Sequence, residues 1–170
     1  MSRTETIHLR AATLEELAEI VALDRAIFGA YGAAEEERVI SARLTVFPEG
    51  CVVLVDHSDE GPARVIGYLT TEKWSTVREP ALDEDPWITH QPDGQVLNIT
   101  TLAVAAGYQN QGLGQRLLHS AFEIAQRGGC TQIVLETAHA AQFYRRNGFA
   151  KSGERRQRGI VLHIMQRVID

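Results

Sequence analysis

The chain predicts a mixed α/β fold: one domain with a mostly antiparallel, twisted sheet, about four flanking helices and one parallel strand–helix–strand unit. Three observations predict it. Segments of strand and helix period alternate in the order β-α-α-β-β-β-α-β-α-β-β. Gly112 and Gly114 stand at the mouth of a helix directly behind the β-forming run "NITTLAV", and a strand–helix–strand connection of this kind closes as a right-handed parallel crossover. The length, 170 residues, suits one domain that buries a core without cross-links.

Each element has its own signal. Thr6 to Arg10 alternates apolar Ile7 and Leu9 with polar His8 and Arg10, a half-buried strand. Thr13 and Glu16 stand in capping-box spacing and open a helix whose apolar positions, from Leu14 to Phe28, recur at helical spacing until Gly29. A second helix is expected across residues 33–47, closed by Pro48 and Gly50. "CVVLVDH" and "RVIGYLTTEKW", joined by a turn at "SDEGPA", read as a hairpin. Ser75 to Gly94 holds three prolines and five acidic residues without periodicity, so a long loop is expected there. "QVLNITTLAV" resumes as a strand, and a helix runs from about Gly112 to Gln126, ended by Gly128 and Gly129. "TQIVLET" is a buried-type strand, "HAAQFYRRNG" a short helix, and residues 149–156 and 159–169 a closing hairpin.

Composition narrows the function. No apolar run approaches membrane-spanning length, and "MSRTETIHLR" lacks the apolar core of a signal peptide. Cys51 and Cys130 sit in no metal-ligand spacing and read as reduced thiols, so a cytoplasmic protein is expected. A net charge of −5 argues against a nucleic-acid partner and for cationic or small neutral ones. A homodimer stays open.

The chemistry centres on Gln109 to Leu118, "QNQGLGQRLL". Glycine inside a helix costs ~0.5–1 kcal/mol relative to alanine, so bare backbone is needed here for a reason. A helix N-terminus presents unpaired N–H groups and partial positive charge, which suit a pyrophosphate. A P-loop is excluded because Gln115 and Arg116 follow the last glycine where lysine and a hydroxyl are required. A dinucleotide fingerprint is excluded because Leu117 occupies the place of its third glycine.

What remains is Q-x-x-G-x-G, formed by Gln109, Gly112 and Gly114 behind a strand ending "LAV". A second motif, A-x-x-F-Y-x-x-x-G-F, is met by Ala140, Phe143, Tyr144, Gly148 and Phe149. In this order the pair resembles the GNAT superfamily of acyl-CoA-dependent N-acyltransferases, most specifically over residues 97–153. The stretches "LNITTLAV", "YQNQGLG" and "AAQFYRRNGFAKSG" look most like the arylalkylamine (serotonin-type) N-acetyltransferase branch.

The resemblance implies the GNAT fold over a single N-acetyltransferase domain, residues 1–170, with acetyl-CoA as acyl donor and no metal. It implies direct transfer of acetyl to a small primary amine in a ternary complex. A protein or peptide acceptor, or a non-catalytic acyl-CoA-binding module, are the alternatives. Backbone amides of Gln109, Asn110, Gln111, Gly112, Leu113, Gly114 and Gln115 would wrap the CoA pyrophosphate. Leu102, Ala103 and Val104 would pair with the pantetheine arm, the Leu102 amide facing the thioester carbonyl. Tyr144 matches the tyrosine that protonates the departing thiolate.

Two departures from the family pattern stand out. Asn98 and Thr100 occupy places where a glutamate or histidine often serves as base, and neither side chain can act as one near pH 7. Glu136, Glu72 and His163 are the remaining titratable candidates, and none is assigned. Thr137 stands where the family often has a CoA-contacting asparagine. His139 reads as a solvated residue before a helix, and the basic run from Arg145 to Arg158 as surface with an option on the CoA 3′-phosphate. In the long loop, Glu79, Asp83, Glu84 and Asp85 beside Trp74 and Trp87 suit an ammonium compound through charge and cation–π attraction.

Overall fold

The structure, a computed structural model, describes residues 3–58 and 61–170. Seven strands form one sheet: β1 (Ile7–Ala11), β2 (Val52–Asp56), β3 (Arg64–Trp74), β4 (Val96–Val104), β5 (Gln132–Thr137), β6 (Ala150–Gln157) and β7 (Ile160–Val168), in the spatial order β1-β2-β3-β4-β5-β7-β6. Every neighbouring pair is antiparallel except β4 and β5. Among the described residues five α-helices accompany it: α1 (Leu17–Phe28), α2 (Glu37–Val46), α3 (Pro86–Thr89), α4 (Leu113–Arg127) and α5 (Ala141–Arg146). The turn expected at "SDEGPA" includes Asp59 and Glu60, which lie outside the described residues.

The two faces of the sheet bury separate cores. On one face α4 lays Leu113, Leu117, Leu118, Ala121 and Ala125 against Leu54, Leu69, Leu97, Ile133 and Met165, all buried. Burial of each leucine contributes about 1.5–3 kcal/mol. On the other, Ile20 and Val21 of α1 and Ile40 and Leu44 of α2 cover Val53, Val55, Tyr68 and Ala103. Both halves of the Thr13–Glu16 capping box form, although the first turn is 3₁₀ and α1 proper starts at Leu17.

Three elements differ from expectation. The second helix starts at Glu37 rather than near residue 33, because tertiary partners capture the backbone ahead of it. The Glu35 N–H donates to Asp24 Oδ2 at 2.9 Å, and the Glu36 N–H donates to Asp83 Oδ1 at 2.9 Å. Residues 75–94 are ordered by their own charges and contain α3. Arg78 forms a two-pronged pair with Glu84, whose Oε1 also accepts from the Ala81 N–H at 2.8 Å, and Asp85 caps α3 through the Trp87 N–H. Third, β4 carries a bulge at Thr100: Thr70 pairs with Thr101 and Thr71 with Ile99, leaving Thr100 without a partner across the ladder. One extra residue inverts the alternation. Leu97 and Ile99 face α4 before the bulge, Leu102 and Val104 face it afterwards, and Ala103 faces α1 and α2.

The loop rejoins the sheet at Gly94, which lies flat on the Trp74 backbone. A Cβ there would stand 2.4 Å from the Trp74 carbonyl oxygen and 2.6 Å from its carbon. Gly94→Ala is therefore expected to destabilise the fold by about 2 kcal/mol, in the range of overpacked sites, read as a lower urea midpoint at unchanged m-value. An unchanged midpoint would refute this close approach.

Candidate active site

β4 and β5 pair in register only from Val96–Gln132 to Asn98–Val134 and then part. β4 runs on beside β3 to Val104, while β5 ends at Thr137 and turns toward α5. The wedge between them opens into a cleft of about 800 Å³, lined along β4 from Asn98 to Val104, along β5 by Leu135 to Thr137, and by Phe143 and Tyr144 of α5. This volume lies within the range of small-molecule sites.

The parting leaves one edge of β4 open. The Ala105 N–H donates to Ile66 O at 2.8 Å, which fixes the side facing β3. By strand alternation the amides of Leu102 and Val104 point the other way, toward the cleft. The Gln109 side chain takes up the Val104 carbonyl there, Nε2 to O at 3.2 Å. Past β4 a turn through Asn110 leads to Gly112, which caps α4 with φ +79°, a left-handed conformation that favours glycine. The first N–H groups of α4 have no partner within the helix.

The residues singled out from sequence divide into two groups. Leu102, Ala103, Val104, Gln109 and Tyr144 line the cleft. Asn110 to Gln115 lie beyond it, forming the turn and the start of α4. The Leu113 side chain is core, and Gln115 donates through Nε2 to Asn147 Oδ1 at 2.6 Å, tying α4 to the end of α5.

Tyr144 is buried between Phe143 and Phe149, whose rings meet it edge-on at 5.0 and 5.5 Å. Burial pushes its hydroxyl above the usual phenol range, so it stays protonated at neutral pH. Thr137 accepts the Ala140 N–H at 3.0 Å and so shapes the entry to α5.

The titratable candidates sort sharply. Glu72 and His163 lie outside the cleft lining. Glu72 is buried and accepts from Trp74 Nε1 and Thr89 Oγ1, both at 2.9 Å. Glu136 is in the cleft but is held by Arg155, which also donates to Pro80 O and Gln157 Oε1, each at 2.8 Å. Arg158 reaches across to Gly32 O. Two members of the basic run are thus fasteners rather than free surface. His139 is exposed at the rim, its ring 5.3 Å from that of Tyr31.

The acidic loop meets the cleft through Pro80, Ala81 and Leu82, and its tryptophans do not reach it. Trp87 is 65% exposed elsewhere, and Trp74 is buried with Arg78 stacked 4.1 Å above its ring. The loop's carboxylates Asp83, Glu84 and Asp85 are spent on folding it. This corrects the expectation that indoles and carboxylates of the loop bind an ammonium.

Sequence reasoning missed a buried charge cluster in the cleft wall. Glu35 and Arg43 form an ion pair with side chains only 9% and 8% exposed. Arg43 Nε has no hydrogen-bond partner among the described residues and lies 3.9 Å from Glu72 Oε1. Asp24 accepts from the Tyr68 hydroxyl at 2.5 Å, and Thr101 Oγ1 donates to Glu35 Oε1 at 3.3 Å. Burial raises the pKa of both Glu35 and Asp24; Arg43 opposes this at Glu35, and the Tyr68 hydrogen bond opposes it at Asp24. The only sequence signal was "AAEEE" ahead of α2, which reads as the solvated start of a helix.

A parted parallel strand pair with a glycine-capped helix behind it is the architecture of an acyl-CoA N-acyltransferase, and the comparisons agree. The acetyltransferase (GNAT) domain family matches residues 24–151, and the chain belongs to this family. Among solved structures, the loading GNATL domain of CurA from Lyngbya majuscula superposes with a TM-score of 0.80 at 16% identity, covering 95% of this chain and 97% of that one. The GphF GNAT-like decarboxylase in complex with isobutyryl-CoA gives 0.76 at 19% identity over 95% and 98%. The NatC complex bound to Gag peptide and CoA gives 0.74 at 21% identity over 96% and 99%. No curated protein sequence matches significantly. Among the described residues no helix is long and apolar enough to cross a membrane, and no group of three or more His, Cys, Asp or Glu could hold a metal ion.

Arg43 is the cation between the carboxylates of Glu35 and Glu72. Removing one partner of a buried pair leaves the other uncompensated, so Arg43→Met is expected to cost about 3–5 kcal/mol at neutral pH. The loss should shrink toward pH 5. Glu35 and Asp24 have raised folded-state pKa values, so the folded state binds more protons and their penalty appears as pH rises through that window. Urea unfolding of both proteins at pH 5 and pH 8 checks this; an equal loss at the two pH values would contradict it.

Proposed function

We propose that the protein is an acetyl-CoA-dependent N-acetyltransferase that acetylates a small primary amine, an arylalkylamine or polyamine, by direct attack in a ternary complex. The observation that carries this reading is that one cleft holds both the open edge of β4, with its Leu102 and Val104 amides, and the Tyr144 hydroxyl. The donor would lie along that edge. Leu102, Ala103 and Val104 would meet the pantetheine arm, and the segment from Gln109 to Gln115 would meet the pyrophosphate at the start of α4. The Leu102 N–H would stabilise negative charge on the thioester oxygen as the amine adds. The Tyr144 hydroxyl, kept protonated by burial, would donate to the departing sulfur.

A small acceptor is favoured by how the cleft is roofed. Arg155 fastens Glu136 and the β6–β7 hairpin to Pro80 of the long loop, Arg158 fastens the hairpin to Gly32, and Asp83 fastens the loop to Glu36. Three segments tied across the acceptor side restrict the room for an extended chain. The NatC complex, solved with a Gag peptide, supplies the competing reading of a peptide acceptor.

The deciding experiment measures thiol release from acetyl-CoA against arylalkylamines, polyamines, aminoglycosides, amino acids and peptides. Turnover confined to peptides would replace the acceptor assignment. Tyr144→Phe removes only a hydroxyl for which no protein partner exists among the described residues. Its kcat is expected to fall roughly tenfold or more, at unchanged acetyl-CoA affinity. Wild-type kcat in this variant from pH 6 to 9 would return the proton transfer to water.

A further inference from the structure

An alkylamine acceptor arrives as an ammonium and must lose a proton before its nitrogen can attack. The cleft is lined by three carboxylates, Asp24, Glu35 and Glu136, besides His139, which is exposed at its rim. Glu136 has both oxygens engaged by Arg155. Asp24 has Oδ1 taken by the Tyr68 hydroxyl and Oδ2 by the Glu35 N–H. Glu35 differs. Its Oε1 accepts from Arg43 and from Thr101 Oγ1, while Oε2 receives no donor among the described residues. The carboxylate is therefore anchored by one oxygen, and the other is left without a donor in a residue that lines the cleft.

Its placement fits the task. Thr101 is the residue after the β4 bulge, where the inverted alternation turns it toward α1 and α2. The next residue is Leu102, whose amide faces the open edge. The residue that anchors the carboxylate is thus the chain neighbour of the one whose N–H would meet the thioester oxygen.

We propose that Glu35 is a catalytic residue that takes the proton from the acceptor's ammonium through Oε2, with Arg43, Asp24 and Thr101 as its positioning residues. This rests on the N-acetyltransferase reading above. The ammonium proton passes to Glu35, and the freed lone pair attacks the thioester carbonyl carbon. The C–N bond forms and the C–S bond breaks. The thiolate takes a proton from Tyr144, which recovers one from the nitrogen of the new amide. Glu35 then returns its proton to solvent.

The groups facing Glu35 come from every packed element: Arg43 from α2, Asp24 from α1, Asp83 from the long loop and Thr101 from β4. Burial and the two aspartates disfavour its charged form and Arg43 favours it, the net direction being upward. A carboxylate so displaced is a better match for proton transfer near neutral pH than an ordinary one.

The test uses two nucleophiles of nearly equal shape, 2-phenylethylamine and O-benzylhydroxylamine. The first is an ammonium at pH 7, whereas the second is neutral and needs no base before attack. Glu35→Gln is expected to lower kcat/KM for phenylethylamine about a hundredfold or more, while O-benzylhydroxylamine loses less than about threefold, since no such step is removed. Glu35→Asp should retain part of the phenylethylamine rate, and calorimetric acetyl-CoA affinity should be unchanged in both variants. Equal losses with the two nucleophiles would overturn the assignment and leave the acetyltransferase reading intact. No thiol release by the wild type with either would overturn the arylalkylamine acceptor, and the assignment with it. Should Glu35→Gln fail to fold, the wild-type kcat profiles at saturating amine decide: a limb several pH units below the amine's own pKa of ~10 with phenylethylamine, and none with O-benzylhydroxylamine, supports Glu35, whereas a kcat that follows only the amine's own ionisation, or identical limbs with both, overturns it.

Discussion

A parallel strand pair that stops pairing halfway leaves amide groups facing a cavity, and the rest of this molecule is organised around them. A buried N–H or C=O without a partner costs about 1–3 kcal/mol. β4 and β5 nevertheless separate beyond Asn98 and Val134. The bulge at Thr100 adds local twist to β4 while β3 holds it through Val104, so β4 follows one neighbour and abandons the other. What β5 no longer supplies, an extended ligand can. The same divergence directs the two chain continuations. α4 starts from the end of β4, and α5 returns from the end of β5 with Tyr144 in the wedge.

The bulge has a second consequence. In an unbroken alternation Thr101 would fall on the α4 face with Leu97 and Ile99, burying a hydroxyl in an apolar core. Shifted by one residue, it meets Glu35 instead. The Thr100 hydroxyl pairs with Thr70 at 2.6 Å. The pair "TT" in the middle of β4 is thus polar lining of the cleft.

Much of the fold was legible because its signals are local. The capping box at Thr13, the apolar stripe of α4 and the alternation of β1 each depend on neighbours a few residues away. The glycine-capped start of α4 and the tyrosine of α5 were legible for the same reason: glycines behind a strand and a tyrosine in a short helix occupy one stretch of chain. The buried charge cluster of the cleft wall was not. It brings together Asp24, Glu35, Arg43, Tyr68 and Thr101 from two helices, a loop and two strands. Only the folded chain turns "AAEEE" from a polar helix start into a buried carboxylate, and only there do Trp74 and Trp87 prove to be a core residue and a surface one.

Burial makes this wall of the cleft both less stable and more reactive, and the two effects share one origin. Three buried carboxylates, Asp24, Glu35 and Glu72, face a single guanidinium. Replacing such a cluster by well-packed apolar side chains is often neutral or stabilising, so it is weak support for the fold. The desolvation that disfavours the Glu35 anion lowers stability as pH rises through the interval between its ordinary and its raised pKa. Over the same interval that desolvation makes the anion a stronger proton acceptor. Arg43 sets the balance, opposing the loss of charge on the carboxylate without occupying its second oxygen. A lysine there would be a point charge lacking the planar fork that lets Arg43 face Glu35 on one side and Glu72 on the other. The geometry of one arginine therefore links the stability of the wall to its chemistry.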